Sequence, residues 1–274
     1  MYRLEFFEGK RVLKSSFLDD FDGVQAFFTT RDLPLKYGER EDLKPQIEAN
    51  KKLICKGFGI SENSLIIPEQ THSDNVQTAE ILTGDFALQN RPIKEYKNTD
   101  ALISKEKNIA IALNFADCVP LIFFDPNKEI IASAHAGWRG TVSKIAVKTV
   151  LKMQEKFGSN SKDIIVLIGP AIGKCCFEVG KDVRDLLKQS ISPLTLPLSH
   201  NGRVNNSELA NDAFSENHVD LKLINKLQLL AIGVEKIDVC EYCTFCQNEL
   251  FFSYRKENEN TARHSAVIIN KGRE

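Results

Sequence analysis

Several things are scarce in this 274-residue chain, and each scarcity narrows what it can be. Excess charge is absent. The 36 basic and 37 acidic residues leave a formal net charge of −1, with no basic patch, so nucleic acid is not an expected partner. Long apolar runs are absent too. None approaches the roughly 20 residues that span a bilayer, and no membrane association is expected. The opening stretch Met1–Phe7 lacks the apolar core of a secretory signal. The seven cysteines cannot all pair within one chain. With no export signal, the expectation is reduced thiols and a cytoplasmic location. Tandem repeats, low-complexity tracts and a clear linker are also missing. The loosest region, residues 190–217, carries Pro193, Pro197 and Gly202 and reads as a long loop, not a domain boundary.

What is present is an ordinary globular composition, 42% hydrophobic and 27% charged. Strand-like runs recur at Ser64–Ile67, Ala101–Ser104, Ile109–Asn114, Leu121–Phe124, Ile130–Ala134, Ile164–Ile168, Lys236–Val239 and Ala266–Ile269. Many are continuously apolar, as in strands covered on both faces. Between Thr141 and Phe157, residues Val142, Ile145, Ala146, Thr149, Val150 and Met153 form one helical face, with Gly158 as the stop. Further helices are expected over about Asn217–Ile232 and Leu43–Lys56. Strict βαβ alternation is not seen. The pattern favours an α/β (α+β) fold, a single domain over residues 1–274 with mixed β-sheets packed with flanking helices.

Three short segments carry the chemistry. Gln70–Ser73, Ala116–Pro120 and Ala134–Thr141 each offer one metal-ligand candidate at the edge of an apolar run: His72, Cys118 and His135. Two histidines and one cysteine are the ligand set of an open zinc site, with a fourth position left for water or substrate. His135 ends a strand and is followed by a glycine turn and a helix start near Thr141. That arrangement presents backbone N–H groups to an anion, and Arg139 adds a planar, fork-shaped cation suited to phosphate. Each residue has a plainer alternative. His135 and Arg139 could be a core imidazole and a surface cation; Cys118 could be a small buried hydrophobe or a nucleophile activated by histidine; His72 could be a solvated loop residue.

Other motifs are weaker. His200, His218 and His264 have no ligand-like context. Cys240, Cys243 and Cys246 show CxxCxxC spacing without a fourth cysteine followed by proline, and adjacent Cys175 and Cys176 are expected to serve packing. Phe251-Phe252-Ser253-Tyr254-Arg255 suits either a pocket wall for a flat ring or core packing.

Segments QTHSDNV (70–76), TDALIS (99–104), ADCVPLIFFD (116–125), IASAHAGWRGTV (131–142), IGPAIGKCCFEVG (168–180), DLKLINKLQLLAIGVEKI (220–237), and CTFC (243–246) followed by FFSYR (251–255) resemble the YfiH-like, or laccase-domain, family. That family is also called multicopper polyphenol oxidoreductase or purine nucleoside phosphorylase. The resemblance implies one α/β domain and one metal site, with His72, Cys118 and His135 as ligands. Zinc is the expected ion and copper the alternative. It implies purine nucleosides and phosphate as small-molecule partners, with phosphorolysis of adenosine, inosine and methylthioadenosine and deamination of adenosine. On this reading Cys118, Asp117 and Arg139 are catalytic, with Asp74 a second proton-carrier candidate; Arg139, Thr141, Lys51 and Arg255 bind phosphate or substrate. A monomer or small homo-oligomer is expected. The chain departs from the common family pattern at Thr71, Lys51 and Ala262, and Lys51 supplies a point charge where a fork is usual.

Two other activities stay open at this point. A polyphenol oxidase needs a histidine-rich copper cluster beside its electron-entry copper, and the chain has only five histidines. A Cys118-dependent hydrolase acting on cell-wall precursors would use His135 as base and need no metal. A non-catalytic metal-binding role is the third possibility.

Overall fold

A computed structural model describes residues 1–38, 40–79, 95–191 and 210–272. In chain order the strands are β1 (Tyr2–Phe7), β2 (Lys10–Ser15), β3 (Val24–Thr29), β4 (Leu65–Ile66), β5 (Val76–Thr78), β6 (Ala101–Ser104) and β7 (Ile109–Phe115). They continue with β8 (Val119–Asp125), β9 (Ile130–Ala136), β10 (Ile165–Ile168), β11 (Phe214–Ser215), β12 (His218–Val219), β13 (Lys236–Val239) and β14 (His264–Asn270). The helices are α1 (Lys44–Phe58), α2 (Trp138–Val142), α3 (Ile145–Phe157), α4 (Lys181–Ile191), α5 (Leu221–Leu230) and α6 (Tyr254–Glu257).

Two six-stranded sheets dominate, ordered β1-β2-β3-β14-β7-β4 and β13-β10-β8-β9-β6-β5. Most pairs are antiparallel; β4–β7, β5–β6 and β10–β13 are parallel, so both sheets are mixed. Their inner faces meet through Phe28, Ile111 and Leu113 on one side and Leu102, Ile122 and Leu167 on the other. The outer face of the first sheet packs Phe27, Ala112 and Val267 against Ile54 and Phe58 of α1. The outer face of the second packs Leu121, Phe123 and Ala132 against α3, α4 and α5. The result is helix, sheet, sheet, helix. It explains why β8 and β9 are buried at every position and read as uninterrupted apolar runs although their pairing is antiparallel.

All eight expected strand regions form strands. Sequence missed β1 and β2, whose charged positions dilute the alternation, the uncharged β3, and the two- or three-residue β5, β11 and β12. The helix expected over 141–157 is two helices: Lys144 adopts φ 59°, which breaks α2 from α3. Gly158 closes α3 at φ 68°, donating to Gln154 and Met153 carbonyls. The helix expected from Asn217 starts at Leu221, where the Asp220 side chain accepts from the Leu223 N–H, because residues 218–219 are spent on β12. Within the region read as a loop, Ser190 and Ile191 finish α4 and Phe214–Ser215 form β11; Pro193, Pro197, His200 and Gly202 lie outside the described residues.

Strand register assembles the site. Val119 stands opposite Ala136 and Pro120 opposite His135, so the start of β8 lies beside the end of β9. Ala101 stands opposite Ala134, which puts Asp100 beside His135. Val76 pairs with Ala101, bringing the loop before β5 to the same sheet end. The three residues 116–118 are also the crossing from β7 in one sheet to β8 in the other.

Candidate metal centre

His135 is the last-but-one residue of β9 and is buried. Cys118 immediately precedes β8 and is partly buried; His72 sits in the exposed loop between β4 and β5, in a left-handed conformation at φ 60°. Their ligand atoms all lie within 4.8 Å of one another. The imidazoles of His72 and His135 meet edge-on, with ring centroids 4.8 Å apart. Gly137 makes this convergence sterically feasible: a Cβ there would stand 3.1 Å from Cys118 Sγ and 3.2 Å from His72 Cδ2.

Asp100 organises the group, and sequence reasoning did not single it out. One carboxylate oxygen meets His135 Nδ1 at 2.8 Å and accepts from the His72 N–H at 3.1 Å. The other accepts from the N–H groups of Thr71 and Ser73 at 3.1 and 2.7 Å and from the Ser73 hydroxyl at 2.7 Å. One buried side chain thus folds the His72 loop and fixes the His135 ring with Nδ1 engaged and Nε2 left for a ligand bond, the usual arrangement behind a metal-binding histidine. Gln70 anchors the loop from the other side, pairing both amide atoms with the backbone of Asn114 at 2.8 Å. The only sequence signal for Asp100 was its place at the mouth of a strand in TDALIS.

Electrostatics favour a cation at this spot. Burial opposes ionisation of the Cys118 thiol, but His135 and then His72 overcome it and carry its pKa down to about 6. Burial likewise disfavours the His135 imidazolium, yet the Cys118 thiolate and Asp100 pull its pKa up to about 9. Asp100 is itself held well below the usual carboxylate range: hydrogen bonds from His135 and Ser73 outweigh its burial. Without a metal the cluster is a thiolate–imidazolium pair. A divalent ion would take the place of the proton between these groups.

The cluster opens into a cavity of about 510 Å³, the size class of small-molecule sites. Asn114, Ile172, Phe177 and Tyr254 line it, and Lys36, Arg255 and Arg263 supply its cations. Burial pushes Lys36 and Arg263 below their ordinary pKa values, and the Arg263 charge lowers Lys36 further, so an anion there would favour both charged forms. Asp117 also lines the cavity, at φ 91°. Its carboxylate accepts from Thr244 Oγ1 and from the Arg255 N–H, both at 2.6 Å.

The remaining sequence candidates fall elsewhere. Arg139 is exposed, its guanidinium stacked 4.2 Å over the Trp138 ring, and is not among the cavity-lining residues. Thr141 is fully buried, with its hydroxyl accepting from Asn225 and its carbonyl from Gln228. Lys51 pairs with Glu48 on the surface of α1, and Asp74 pairs with Lys148. Lys36 and Arg263 went unrecognised as cavity cations because they lie far apart in sequence, joined only by the backbone pairing of their own segments.

The fold and cluster together set two histidines and one cysteine, a candidate metal-ligand set, at the seam of a two-sheet sandwich. The profile described as multi-copper polyphenol oxidoreductase laccase matches residues 25–271, and the chain belongs to that laccase-domain family. A purine nucleoside phosphorylase of Bacteroides thetaiotaomicron is 30% identical over 277 residues, covering 96% of this chain and 97% of its own. Adenosine deaminase RL5, from an unknown prokaryotic organism, is 30% identical over 270 residues, covering 94% and 98%. The crystal structure of the hypothetical protein YfiH from Bacillus licheniformis superposes with a TM-score of 0.78 at 30% identity, covering 98% of this chain and 99% of that one.

Proposed function

We propose that the chain is a zinc-dependent purine nucleoside enzyme that phosphorolyses adenosine, inosine and methylthioadenosine and deaminates adenosine. One observation carries the reading: two imidazoles and a low-pKa thiol converge at the mouth of a nucleoside-sized cavity whose other wall is cationic. Relatives along nearly the whole chain bear the names of both activities. The donor set suits a divalent ion: two imidazoles, one of them fixed through Asp100, and one thiolate, with a coordination position left over. A zinc ion held by His72, Cys118 and His135 would supply a Lewis acid and acidify water.

The chain's own groups do the rest. Phe177 and Tyr254 offer apolar surface to a flat base. Lys36 and Arg263 hold phosphate, whose oxygen attacks the anomeric carbon as the glycosidic bond breaks, giving a sugar 1-phosphate and the free base. Arg255 frames this wall: its guanidinium donates to the carbonyls of Cys176 and Glu178. Asp117 positions the Arg255 backbone, accepting from its N–H and from Thr244 Oγ1. Arg139 and Thr141 support the glycine turn after His135 through Trp138 and α5.

The test is turnover of adenosine and inosine with and without phosphate, before and after chelation. Ribose 1-phosphate formed only with phosphate, inosine formed from adenosine without it, and loss of both on chelation are expected. Activity that survives chelation but not Cys118 alkylation would instead support a thiol hydrolase, the reading favoured by the depressed Cys118 pKa alone. For copper oxidation, the described residues offer no second histidine cluster: His218 lies in β12 and His264 is buried in β14.

A further inference from the structure

Four of the remaining cysteines meet at one point. Cys175 and Cys176 come from the loop after β10, and Cys243 and Cys246 from the segment after β13. Their sulfurs all lie within 4.8 Å of one another, with Cys175 and Cys176 at 3.7 and 3.5 Å from Cys246. A tetrahedral zinc site with Zn–S bonds of about 2.3 Å requires sulfurs about 3.8 Å apart, whereas a disulfide requires about 2.05 Å. The observed separations belong to the first geometry. We propose that Cys175, Cys176, Cys243 and Cys246 form a second, closed metal site that binds zinc and fastens one wall of the cavity.

Three features of the local backbone fit a thiolate-metal site. Cys243-Thr244-Phe245-Cys246 is a two-residue-spaced knuckle in which N–H groups turn back on the first sulfur. Gly173 N–H donates to Cys243 Sγ at 3.2 Å. Second, Gly173 leaves room for the cluster: a Cβ there would stand 3.2 Å from Cys175 Sγ and 3.2 Å from Cys243 Cβ. Third, the surroundings are cationic. Arg255 donates to the Cys176 carbonyl and Lys256 to the Phe245 carbonyl, placing positive charge beside a site whose four thiolates exceed the charge of one zinc ion.

The site has a mechanical consequence. Thr244 N–H donates to the Ala171 carbonyl at 3.1 Å, so two segments distant in sequence already run side by side. Ile172 and Phe177 flank the cysteines of the first segment, while Tyr254 and Arg255 follow the second; all four line the cavity. A metal at the junction would lock this wall in place. The proposal does not depend on what His72, Cys118 and His135 catalyse.

The test is metal counting on protein purified anaerobically with reductant and reconstituted with zinc chloride. Wild type should hold about two zinc ions per chain, one per site. A Cys118→Ala/His135→Ala variant should keep about one, and its cobalt-substituted form should show the intense visible bands and sulfur-to-cobalt charge transfer of a tetrahedral thiolate site. Cys175→Ser and Cys246→Ser, at exposed positions, should each lose about one ion while the other site stays filled. Equal zinc content in wild type and both serine variants would overturn the proposal. So would a Cys118→Ala/His135→Ala variant that is folded by circular dichroism yet binds no zinc. A disulfide among the four cysteines in the anaerobic protein, read from intact mass under non-reducing conditions, would also overturn it.

Discussion

Asp100 organises the candidate metal centre, because it holds two of the three candidate ligands in place. Its carboxylate accepts from three consecutive N–H groups of the His72 loop and also meets His135 Nδ1. Asparagine at this position keeps the shape but replaces one acceptor oxygen with a donor amide and removes the charge. Asp100→Asn should therefore weaken zinc affinity by about 10–100-fold, measured by competition with a chromogenic chelator, while the protein still folds. Gly137→Ala tests the same centre sterically: the added methyl would crowd the Cys118 sulfur and the His72 ring, and metal affinity should fall without loss of any ligand. At this scale the sequence was legible where residue type decides. His72, Cys118 and His135 stood out because soft or borderline ligands at the ends of apolar runs are uncommon. Asp100 did not, because an acidic residue before a strand looks like any turn. Arg139 attracted attention through its glycine turn, but the turn fixes only the backbone; the side chain stacks on its own neighbour Trp138. Which cations reach the cavity is decided by β-bridges such as Lys36 with Arg263, which no local pattern encodes.

Among the elements, strands with both faces covered were the easiest to foresee, since burial on two sides leaves a continuous apolar run. Edge strands such as β1, exposed at Arg3, Leu4 and Phe6, and two-residue strands leave no such trace. Helix ends were legible only where a cap is chemical. Gly158 announced the end of α3, whereas the break at Lys144 did not announce itself, because lysine carries no preference for the left-handed region it occupies. Asp220 provides a direct test of such end chemistry. Its side chain accepts from Leu223 N–H at 2.9 Å at the start of α5, the helix whose Asn225 and Gln228 brace the Thr141 turn. Asp220→Ala should lower unfolding free energy by about 1 kcal/mol in urea titrations, and Asp220→Ser should recover most of it.

At the scale of the whole molecule two sheets pack face to face, and one buried histidine makes stability depend on pH. His264 begins β14, fully buried, with the Phe251 ring at 5.5 Å and the Phe115 ring at 6.5 Å. Burial is the main force on it, reinforced by Arg263 and Arg31 and only partly opposed by the Pro170 carbonyl, and its pKa falls to about 3. In the unfolded chain the same imidazole titrates near pH 6.5. Between those values the unfolded state takes up a proton that the folded state refuses. The neutral side chain therefore costs nothing above about pH 6.5, and stability drops as pH falls, by up to about 1.4 kcal/mol per pH unit, until about pH 3. His264→Phe keeps an aromatic ring between the same neighbours and removes the titration. The difference in unfolding free energy between variant and wild type, followed from pH 7 to pH 4.5, should widen in favour of the variant. Acid effects on Asp100 and on the metal ligands are common to both proteins and cancel in that difference. A constant difference across the range would mean that His264 already holds a proton in the folded sandwich.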